Sequence, residues 1–526
     1  MNNLLICRLL GLIALLIGAS MGLSLPWALP WFGETEHFDG RSFWALLGTM
    51  VVCGLVGGLM MFVGHKAKGQ RLFRKEAMAV VGLSWLLATL LGALPFWLSA
   101  TCRGLDDAGD PVPMDLFDGL FESASGFSGT GATVLCDLED PALVPRAILF
   151  WRSETHFLGG LGIMVLFVAI LGMGSAGKAL MQTEMPGPGQ ETSHERTQRA
   201  AWVFASIFVG LVVVLTVLLM LQGVGLFHGL CHSFGTIATG GFSTFNKSVE
   251  AFGNLSVEMT IAVFMILACT NFTLLYYLVL WKPGKLLADV EFRTYLIIMA
   301  GVAAVVILSL WLAGGIDDQG RRIDYNLAAS ARYGVFQVVS IQTNTGFGTH
   351  NFDQWNSFSR AALFLLMFIG GCAGSTSCSV KVIRHILFAK ILWLELERAF
   401  RPSVVRHVRL GGKPLEAPEL RHNVLVYFGM ILAVFCVAWM ALVAIEPDQT
   451  WVEDGRSPRE KLTDCASAVA ATLNGVGPGL GVVGEAENYA HFHAASKFVL
   501  TWLMLLGRLE VFVLLVLFVP RFWRSQ

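Results

Sequence analysis

The stretch IQTNTGFGTH, from Ile341 to His350, is short, polar and glycine-bearing, and long apolar runs flank it on both sides. At membrane depth, backbone that is not helical survives only where protein buries it or where it lines a water-filled path. Three other stretches also run from an apolar segment into Thr, Asn or Ser and then Gly. They are SGFSGTGATVL around Gly131, TIATGGFSTF around Gly241 and TLNGVGPGLG around Gly477. Four carbonyl-lined turns around one axis can replace the water around a cation, so the sequence predicts a four-repeat cation pore in one chain.

The composition is that of a membrane protein. Of the 526 residues, 55% are hydrophobic and only 14% are charged, with a mean hydropathy of +0.63, whereas soluble chains carry roughly 25% charge. Many apolar runs exceed the ~20 residues that a helix needs to cross a bilayer. The first run, Leu4–Trp31, is too long for the apolar region of a signal peptide, and we expect a retained helix there. The net charge of −1 argues against a nucleic-acid partner.

The ten cysteines are scattered singly and none has C-x-x-C spacing, so no metal cluster is expected. Cys102 and Cys136 fall in one predicted outer segment. The sequence leaves two alternatives for them, a disulfide or two free thiols.

The predicted fold class is an all-α polytopic membrane protein. Four pseudo-repeats of helix, pore loop and helix surround one pore and follow two extra N-terminal transmembrane helices, which gives about ten spanning helices. The central glycines are 110, 105 and 131 residues apart by subtraction of their numbers, which suits a duplicated membrane unit. The predicted units are 1–76 (two N-terminal helices and a basic loop), 77–199 (repeat 1), 200–290 (repeat 2), 291–420 (repeat 3, with an intramembrane gate loop) and 421–526 (repeat 4). The spans are predicted at about Leu4–Trp31, Phe43–Gly64, Ala77–Ala100, Arg146–Met173, Ala200–Leu221, Val257–Leu280, Thr294–Leu312, Ser359–Ala389, Val424–Ile445 and Ala495–Val519.

Loop charges predict the orientation. The segment from Thr101 to Pro145 contains nine Asp and Glu against Arg103 alone, whereas Lys381–Arg421 contains nine Lys and Arg against four Glu. Because basic loops stay in the cytoplasm, we expect the glycine turns to enter from outside and both chain termini to be cytoplasmic. The basic segment Lys381–Arg421 fits either lipid headgroups or a cytosolic subunit, and the sequence leaves both open.

The glycine turns are the predicted selectivity filter. Small residues can also serve close helix packing, but four glycines at matching places, each after a re-entrant segment, favour a pore. No ring of Asp or Glu occupies the turns, which favours a weakly hydrated monovalent cation over Ca²⁺ or Mg²⁺. The candidate ion-binding residues are Gly129, Thr130, Gly131, Thr239, Gly240, Gly241, Asn344, Thr345, Gly346, Gly475, Val476 and Gly477.

A second polar stretch, GGCAGSTSCSVK, interrupts the last helix of repeat 3. It fits close helix packing or, as we expect, a flap beneath the filter, since broken helices at the midplane are where transporters place moving parts. Arg508, in LLGRLEVFVLL, is predicted deep in the last helix, where an arginine faces a cavity or a partner unless it snorkels to the surface. Glu510 lies on another helix face and is not an obvious partner. The candidate gate residues are Gly370, Gly371, Cys372, Ala373, Gly374, Ser375, Thr376, Ser377, Cys378, Ser379 and Arg508.

These motifs resemble the Trk/Ktr/HKT superfamily of potassium transporters, and the match covers almost the whole chain. It includes WRSETHFLGGLGIMVLFVAIL, NFTLLYY, EFRTYL, FIGGCAGSTSCSVKVIR and LGRLE besides the four glycine stretches, and the two N-terminal helices resemble the longer Trk members. The resemblance implies potassium uptake across the bacterial inner membrane by a homodimer. It implies a cytosolic ring of nucleotide-binding regulatory subunits of the TrkA type, with no covalent cofactor and nucleotide acting only through that ring. It also implies that the loop 370–379 is an intramembrane gate and that Arg508 lies near it.

The chain departs from the family pattern in two places. Ser377, Cys378 and Ser379 stand where the family usually has a glycine run, so we expect a stiffer gate loop. Gly129 and Gly475 stand where family filters more often carry a polar residue, which would loosen two of the four walls. All four central positions are Gly, whereas Ser at the first is associated with sodium-permeable relatives, and this supports a preference for potassium.

Two competing functions remain beside potassium uptake. One is a sodium-permeable or sodium-coupled transporter of the same superfamily. The other is a membrane enzyme, which lacks support because no H-E-x-x-H, G-x-S-x-G or P-loop motif is present. The sequence does not decide between proton-coupled symport and channel-like conduction.

Overall fold

A computed structural model describes residues 1–33, 37–67, 73–106, 108–162, 194–317, 319–401, 409–410, 413–414, 418–453 and 457–524. The α-helices are α1 (Asn3–Ser20), α2 (Pro30–Gly33), α3 (Gly40–Val63), α4 (Arg74–Leu98), α5 (Leu116–Ser128), α6 (Arg146–Leu161), α7 (His194–Leu221), α8 (Leu226–Ile237), α9 (Leu255–Ala268), α10 (Phe272–Val279), α11 (Pro283–Ala288), α12 (Val290–Ala313), α13 (Leu327–Gln342), α14 (Ser357–Leu366), α15 (Val382–Phe400), α16 (Pro418–Ile445), α17 (Gln449–Glu453), α18 (Lys461–Asn474), α19 (Ala494–Arg508), α20 (Phe512–Leu515) and α21 (Pro520–Trp523). Three antiparallel two-stranded ribbons pair β1 (Cys102–Leu105) with β2 (Pro111–Pro113), β3 (Gly315–Ile316) with β4 (Arg322–Ile323), and β5 (Arg409–Leu410) with β6 (Lys413–Pro414). The protein is therefore predominantly helical, with small ribbons that the sequence analysis did not predict.

Six of the described helices are long and apolar enough to cross a membrane, namely α1, α3, α4, α7, α12 and α16. The number rises to eight if two bent helix pairs, α9 with α10 and α19 with α20, each count as one span. The predicted span Arg146–Met173 is described only as far as Gly162, and its remainder lies outside the described residues. The count of ten spans stays a prediction.

The first predicted span is wrong as a single helix. Helix α1 ends at Ser20, and 3₁₀ turns at Met21–Leu23 and Leu25–Ala28 precede the short helix α2. Two prolines contribute: Pro26 has no N–H to donate to the carbonyl four residues earlier, which a continuous α-helix would need, and Leu29, the residue before Pro30, is extended (φ −86°, ψ 142°).

Two further predicted spans are broken rather than continuous. Val257–Leu280 divides into α9 and α10, which meet at 110°, and the side chain of Asn271 caps α10 by accepting a hydrogen bond from Thr273 N (2.8 Å). Ala495–Val519 divides into α19 and α20 at 115°. Arg508 is thus the last residue of α19, at a bend, and not a residue well inside a helix.

The predicted span Ser359–Ala389 is also divided. The structure has α14 before the polar stretch and α15 after it, and residues 367–381 between them are not helical. Gly374 has a positive φ of +71° and Ser379 one of +59°, backbone that a helix cannot include. The polar loop is therefore longer at both ends than the predicted 370–379.

The four short helices α5, α8, α13 and α18 lie inside the protein. Helix α5 packs against α4, α6 and α19, and α8 against α6, α7 and α9. Helix α13 packs against α9, α12 and α14, and α18 against α16 and α19. Side-chain caps begin two of them, since Asp115 accepts from Asp118 N (2.6 Å) and Asn326 from Ala329 N (2.8 Å).

Buried ion pairs connect short helices to their neighbours. Asp118 of α5 binds Lys497 of α19 (2.5 Å), and Glu122 of α5 binds Arg152 of α6 (2.5 Å). All four side chains are almost fully buried, and loss of one partner from such a pair costs about 3–5 kcal/mol. Both acids were counted in the outer acidic segment from sequence. The structure instead gives them a place in the core, where they fix α5.

The alternatives for Cys102 and Cys136 are resolved in favour of two free thiols. Cys136 is exposed and its backbone N–H donates to Arg103 O (2.6 Å), which places it beside the β1 strand that begins at Cys102.

Candidate functional site

Each short buried helix runs into a turn with the same backbone shape. The central glycines have φ of +82° (Gly131), +78° (Gly241), +79° (Gly346) and +90° (Gly477). The residues two positions earlier are also left-handed, at +69° (Gly129), +54° (Thr239), +56° (Asn344) and +64° (Gly475). A β-branched residue such as Thr239 rarely adopts positive φ, so this conformation is held by its surroundings.

The four turns contact one another in a closed ring. A Cβ atom placed on each central glycine would overlap a carbonyl oxygen of the next turn. In every case that oxygen belongs to the residue directly before the next turn's central glycine. The contacts run from Gly131 to Gly240, from Gly241 to Thr345, from Gly346 to Val476 and from Gly477 back to Thr130. Only glycine permits backbones to approach so closely, and a side chain at any central position would push two neighbouring turns of this ring apart.

The backbone of each turn directs its N–H groups away from the ring. The residue before each central glycine donates its N–H to a carbonyl in the preceding short helix, at distances of 2.7–3.0 Å. The donor and acceptor pairs are Thr130 with Ser125, Gly240 with Gly235, Thr345 with Ser340, and Val476 with Ala471.

Most carbonyl groups of the turns are left without donors. Among residues 129–131, 239–241, 344–346 and 475–477, the Gly477 carbonyl accepts a hydrogen bond from the Tyr489 hydroxyl (2.8 Å) and the Gly240 carbonyl lies beside the His156 ring, while the other carbonyls accept none from the described chain. Buried carbonyls in proteins nearly always have a partner. A ring of buried carbonyl oxygens without protein donors is suited to coordinating a dehydrated cation.

A cavity of about 100 Å³ opens on one side of the ring, and all four central glycines line it. Glu485 also lines it, partly buried and packed against Gly348, and its carboxylate accepts no hydrogen bond within the described chain. Burial, with the nearby carboxylates of Glu250 and Asp353, raises the pKa of the Glu485 carboxyl to about 8. No group of three or more His, Cys, Asp or Glu suited to a metal ion occurs among the described residues.

The polar loop 367–381 lies directly against the other side of the ring. The Cys378 thiol donates to Ser128 O at the end of α5 (3.2 Å), and the Ser379 hydroxyl donates to Asn474 Oδ1 at the end of α18 (3.0 Å). A Cβ on Gly475 would lie 2.7 Å from Cys378 Cβ. The loop thus contacts the ends of two short helices and one turn of the ring.

The break between α9 and α10 holds the same loop. Cys372 N donates to Cys269 O (3.0 Å), the Thr376 hydroxyl donates to Ala268 O (3.0 Å), and Phe272 N donates to Gly374 O (3.0 Å). The bend exposes backbone groups that a continuous helix would have used internally, and the loop satisfies them.

Arg508 connects the loop to two helices. Its Nη1 donates to Thr376 O (2.7 Å) and contacts Cys378 Sγ (3.5 Å), and its Nη2 donates to Gly159 O of α6 (2.7 Å). The residue lines a smaller cavity of about 40 Å³, together with Gly374, Ser377 and other loop residues. Glu510, as expected, does not pair with Arg508; it binds Arg384.

The sequence analysis missed two charged residues that hold the loop. Glu291 Oε1 accepts hydrogen bonds from Ala373 N (2.8 Å) and Ile383 N (3.1 Å), and the Lys381 ammonium donates to Ser377 O. Both side chains are buried. The sequence offered one signal for each residue: Glu291 is an acid at the start of an apolar run, in EFRTYL, and Lys381 is the last residue of the polar stretch GGCAGSTSCSVK.

Comparison with known proteins identifies the family. The family model of TrkH, described as a cation transport protein, matches residues 45–525. The chain belongs to the TrkH family. It is 35% identical to the Trk system potassium uptake protein TrkH of Salmonella typhimurium, over 99% of each chain. It is 33% identical to the Halomonas elongata protein of the same name over the full length of both.

The fold agrees with a solved member of the TrkH family. The crystal structure of the potassium transporter TrkH from Vibrio parahaemolyticus superimposes with a TM-score of 0.81 and 31% identity, covering 100% of both chains. The resemblance stated from sequence is confirmed, and so is the prediction that the chain is a transporter and not an enzyme. As a TrkH-family protein with several membrane-spanning helices, it is a multi-pass membrane protein.

Proposed function

We propose that this chain carries potassium inward across the bacterial inner membrane through the ring of four glycine turns. The observation that carries the proposal is the closed contact of the turns, whose carbonyl oxygens, apart from those of Gly240 and Gly477, accept no hydrogen bond from the described chain. Full-length similarity to proteins named for potassium uptake supports the choice of ion. Each short helix ends at the ring, so its dipole adds roughly half a negative charge there.

The ring favours a monovalent cation because its residues carry no carboxylate. Ca²⁺ and Mg²⁺ prefer carboxylate oxygens, and Mg²⁺ also sheds its water reluctantly. A second candidate is a sodium-permeable or sodium-coupled transporter of the same superfamily. The glycine at Gly131, where a serine is associated with sodium-permeable relatives, disfavours that alternative.

The loop acts as the gate in this proposal. It lies against the ring on the side away from the Glu485 cavity, and Arg508, Lys381 and Glu291 tether it. Residues 370–379 would block a potassium ion that leaves the ring, and movement of the loop would open the path. The Ser377 hydroxyl accepts a hydrogen bond from Gly371 N (3.1 Å), and Cys378 and Ser379 form the hydrogen bonds described above, which supports a stiffer loop than a glycine run would give.

We further propose that the protein works as a homodimer in the lipid bilayer, with both termini cytoplasmic. Cytosolic nucleotide-binding subunits of the TrkA type would regulate it, and nucleotide would act only through them. The support is membership of the TrkH family and the basic segment 381–421, which suits a cytosolic contact.

Flux measurements in liposomes test the proposed function. We expect the purified protein to take up rubidium, a stand-in for potassium, at least tenfold faster than sodium. Uptake with and without a pH gradient would separate proton-coupled symport from conduction. Equal rubidium and sodium rates would contradict potassium selectivity and favour the sodium-permeable alternative.

External pH should alter uptake through Glu485. With a pKa near 8, the carboxyl is neutral at lower pH and carries its charge only above that value. A negative charge in the cavity above the ring raises the local cation concentration. We therefore expect rubidium uptake at limiting concentration to rise, by up to about tenfold, as external pH rises from 7 to 9. Glu485→Gln should remove this dependence, while Glu487→Gln, a control in the same cavity, should retain it.

A further inference from the structure

His156 is a buried histidine that joins two of the glycine turns. It lies on α6, fully enclosed, with Nδ1 at 2.7 Å from Gly126 O in the last turn of α5. Its Nε2 lies 3.1 Å from the backbone nitrogen of Phe242, the residue after the central Gly241. One imidazole therefore bridges the helix that leads into the first turn and the backbone that leaves the second.

The two partners determine which nitrogen carries the proton. A carbonyl oxygen can only accept, so Nδ1–H donates to Gly126, and a backbone N–H can only donate, so Nε2 accepts from Phe242. The ring is neutral with its hydrogen on Nδ1. A glutamine amide also offers one donor and one acceptor, whereas phenylalanine offers the ring shape without either.

Residues of the second glycine turn also pack against His156. The Phe242 ring stacks on His156 with centroids 4.1 Å apart, and Cζ of the Arg152 guanidinium, one helical turn earlier, lies 3.5 Å from the Phe242 ring centroid. A Cβ on Gly240 would lie 2.5–2.6 Å from atoms of the imidazole ring. Gly240 and His156 thus fit each other, with no room for a side chain at 240.

We infer that His156 is a positioning residue that sets the spacing of the first and second glycine turns, and thereby the cation selectivity of the ring. The inference rests on the proposed function. In this inference His156 does not contact the ion, because both ring nitrogens of His156 form hydrogen bonds, Nδ1 with Gly126 O and Nε2 with Phe242 N. Its effect should therefore appear in the discrimination between ions more than in the amount of folded protein.

The first test compares substitutions that separate ring shape from hydrogen bonding. The rubidium-to-sodium uptake ratio is measured in liposomes at equal reconstitution, for parent, His156→Gln and His156→Phe. We expect His156→Phe to lower the ratio roughly tenfold, the equivalent of about 1.4 kcal/mol, and His156→Gln to stay within about threefold of the parent. Phe157→Leu, on the same helix but packed against Phe208 and Phe234, should leave the ratio unchanged.

A double substitution tests the contact with Gly240 independently. Gly240→Ala places a methyl group against the imidazole and should lower the ratio in the parent. In a His156→Ala background the space is free, so the same change should have little further effect. Equal effects of Gly240→Ala in both backgrounds, or a parent-like ratio for His156→Phe, would overturn the positioning role. A parent protein that does not discriminate rubidium from sodium would instead contradict the proposed function.

Discussion

Replacing Gly346 by serine is expected to cost the protein most of its discrimination between potassium and sodium. Position 346 has φ of +79°, where a side chain costs roughly 1–2 kcal/mol of backbone strain. The added Cβ would also overlap Val476 O and lie 2.7 Å from Pro478 Cδ, so the third and fourth turns must separate. We expect the rubidium-to-sodium uptake ratio to fall at least tenfold, with poorer uptake at low potassium.

A matched control isolates the ring contact from backbone strain. Gly320 has φ of +76°, yet a Cβ there meets nothing within 4 Å. Gly320→Ser therefore carries similar strain in open space and should transport like the parent. If Gly346→Ser keeps the parent's potassium affinity and sodium exclusion, the assignment of this turn to the filter is wrong.

The glycine turns were predictable because their chemistry is local. A left-handed residue after a buried helix needs glycine or a short polar side chain, and the sequence shows this directly at Gly131, Gly241, Gly346 and Gly477. The left-handed position two residues earlier also explains Gly129 and Gly475. These glycines adopt the same left-handed backbone as Thr239 and Asn344 without a side chain to strain, and the looser walls expected at Gly129 and Gly475 stay a prediction.

The helix breaks were not predictable from hydropathy, because an apolar run is equally compatible with a straight helix and with a bent one. The bend before Phe272 leaves only one local sign in the sequence, the capping asparagine in NFTLLYY.

The buried ion-pair partners of charged residues could not be predicted from the sequence for another reason. Asp118 and Lys497 are 379 residues apart, and a sequence reveals such pairs only through the fold.

Replacing Arg508 by alanine is expected to give faster and less regulated transport. Arg508 donates to Thr376 O in the loop and to Gly159 O in α6, each at 2.7 Å, and so ties the loop to the helix beside the first turn. A charge-assisted hydrogen bond contributes about 1.5–3 kcal/mol. Loss of even one would raise the open population of the loop roughly tenfold. The charge itself also repels a cation that leaves the ring, and alanine removes that barrier.

Rubidium uptake at equal reconstitution measures this effect across a graded series. Arg508→Lys keeps the charge but loses the planar fork that reaches both carbonyls, so its rate should fall between parent and alanine. Deletion of Gly371–Cys378 removes the loop and should set the upper limit. Arg384→Gln is the matched control, because the Arg384 side chain binds Glu510 on the same side of the protein, while its hydrogen bond to the loop, at Lys381 O (2.9 Å), is made by the backbone N–H that the substitution keeps.

The outcomes distinguish a gate from a merely structural arginine. If Arg508 holds the loop closed, the alanine variant and the loop deletion should both exceed the parent, while Arg384→Gln should not. Equal acceleration by Arg384→Gln would show that general loosening of this side of the protein raises flux, without a specific role for the loop contacts. A folded, dimeric Arg508→Ala protein that transports no faster than the parent would contradict the gating role, because the two carbonyl contacts would then only join α19 to its neighbours.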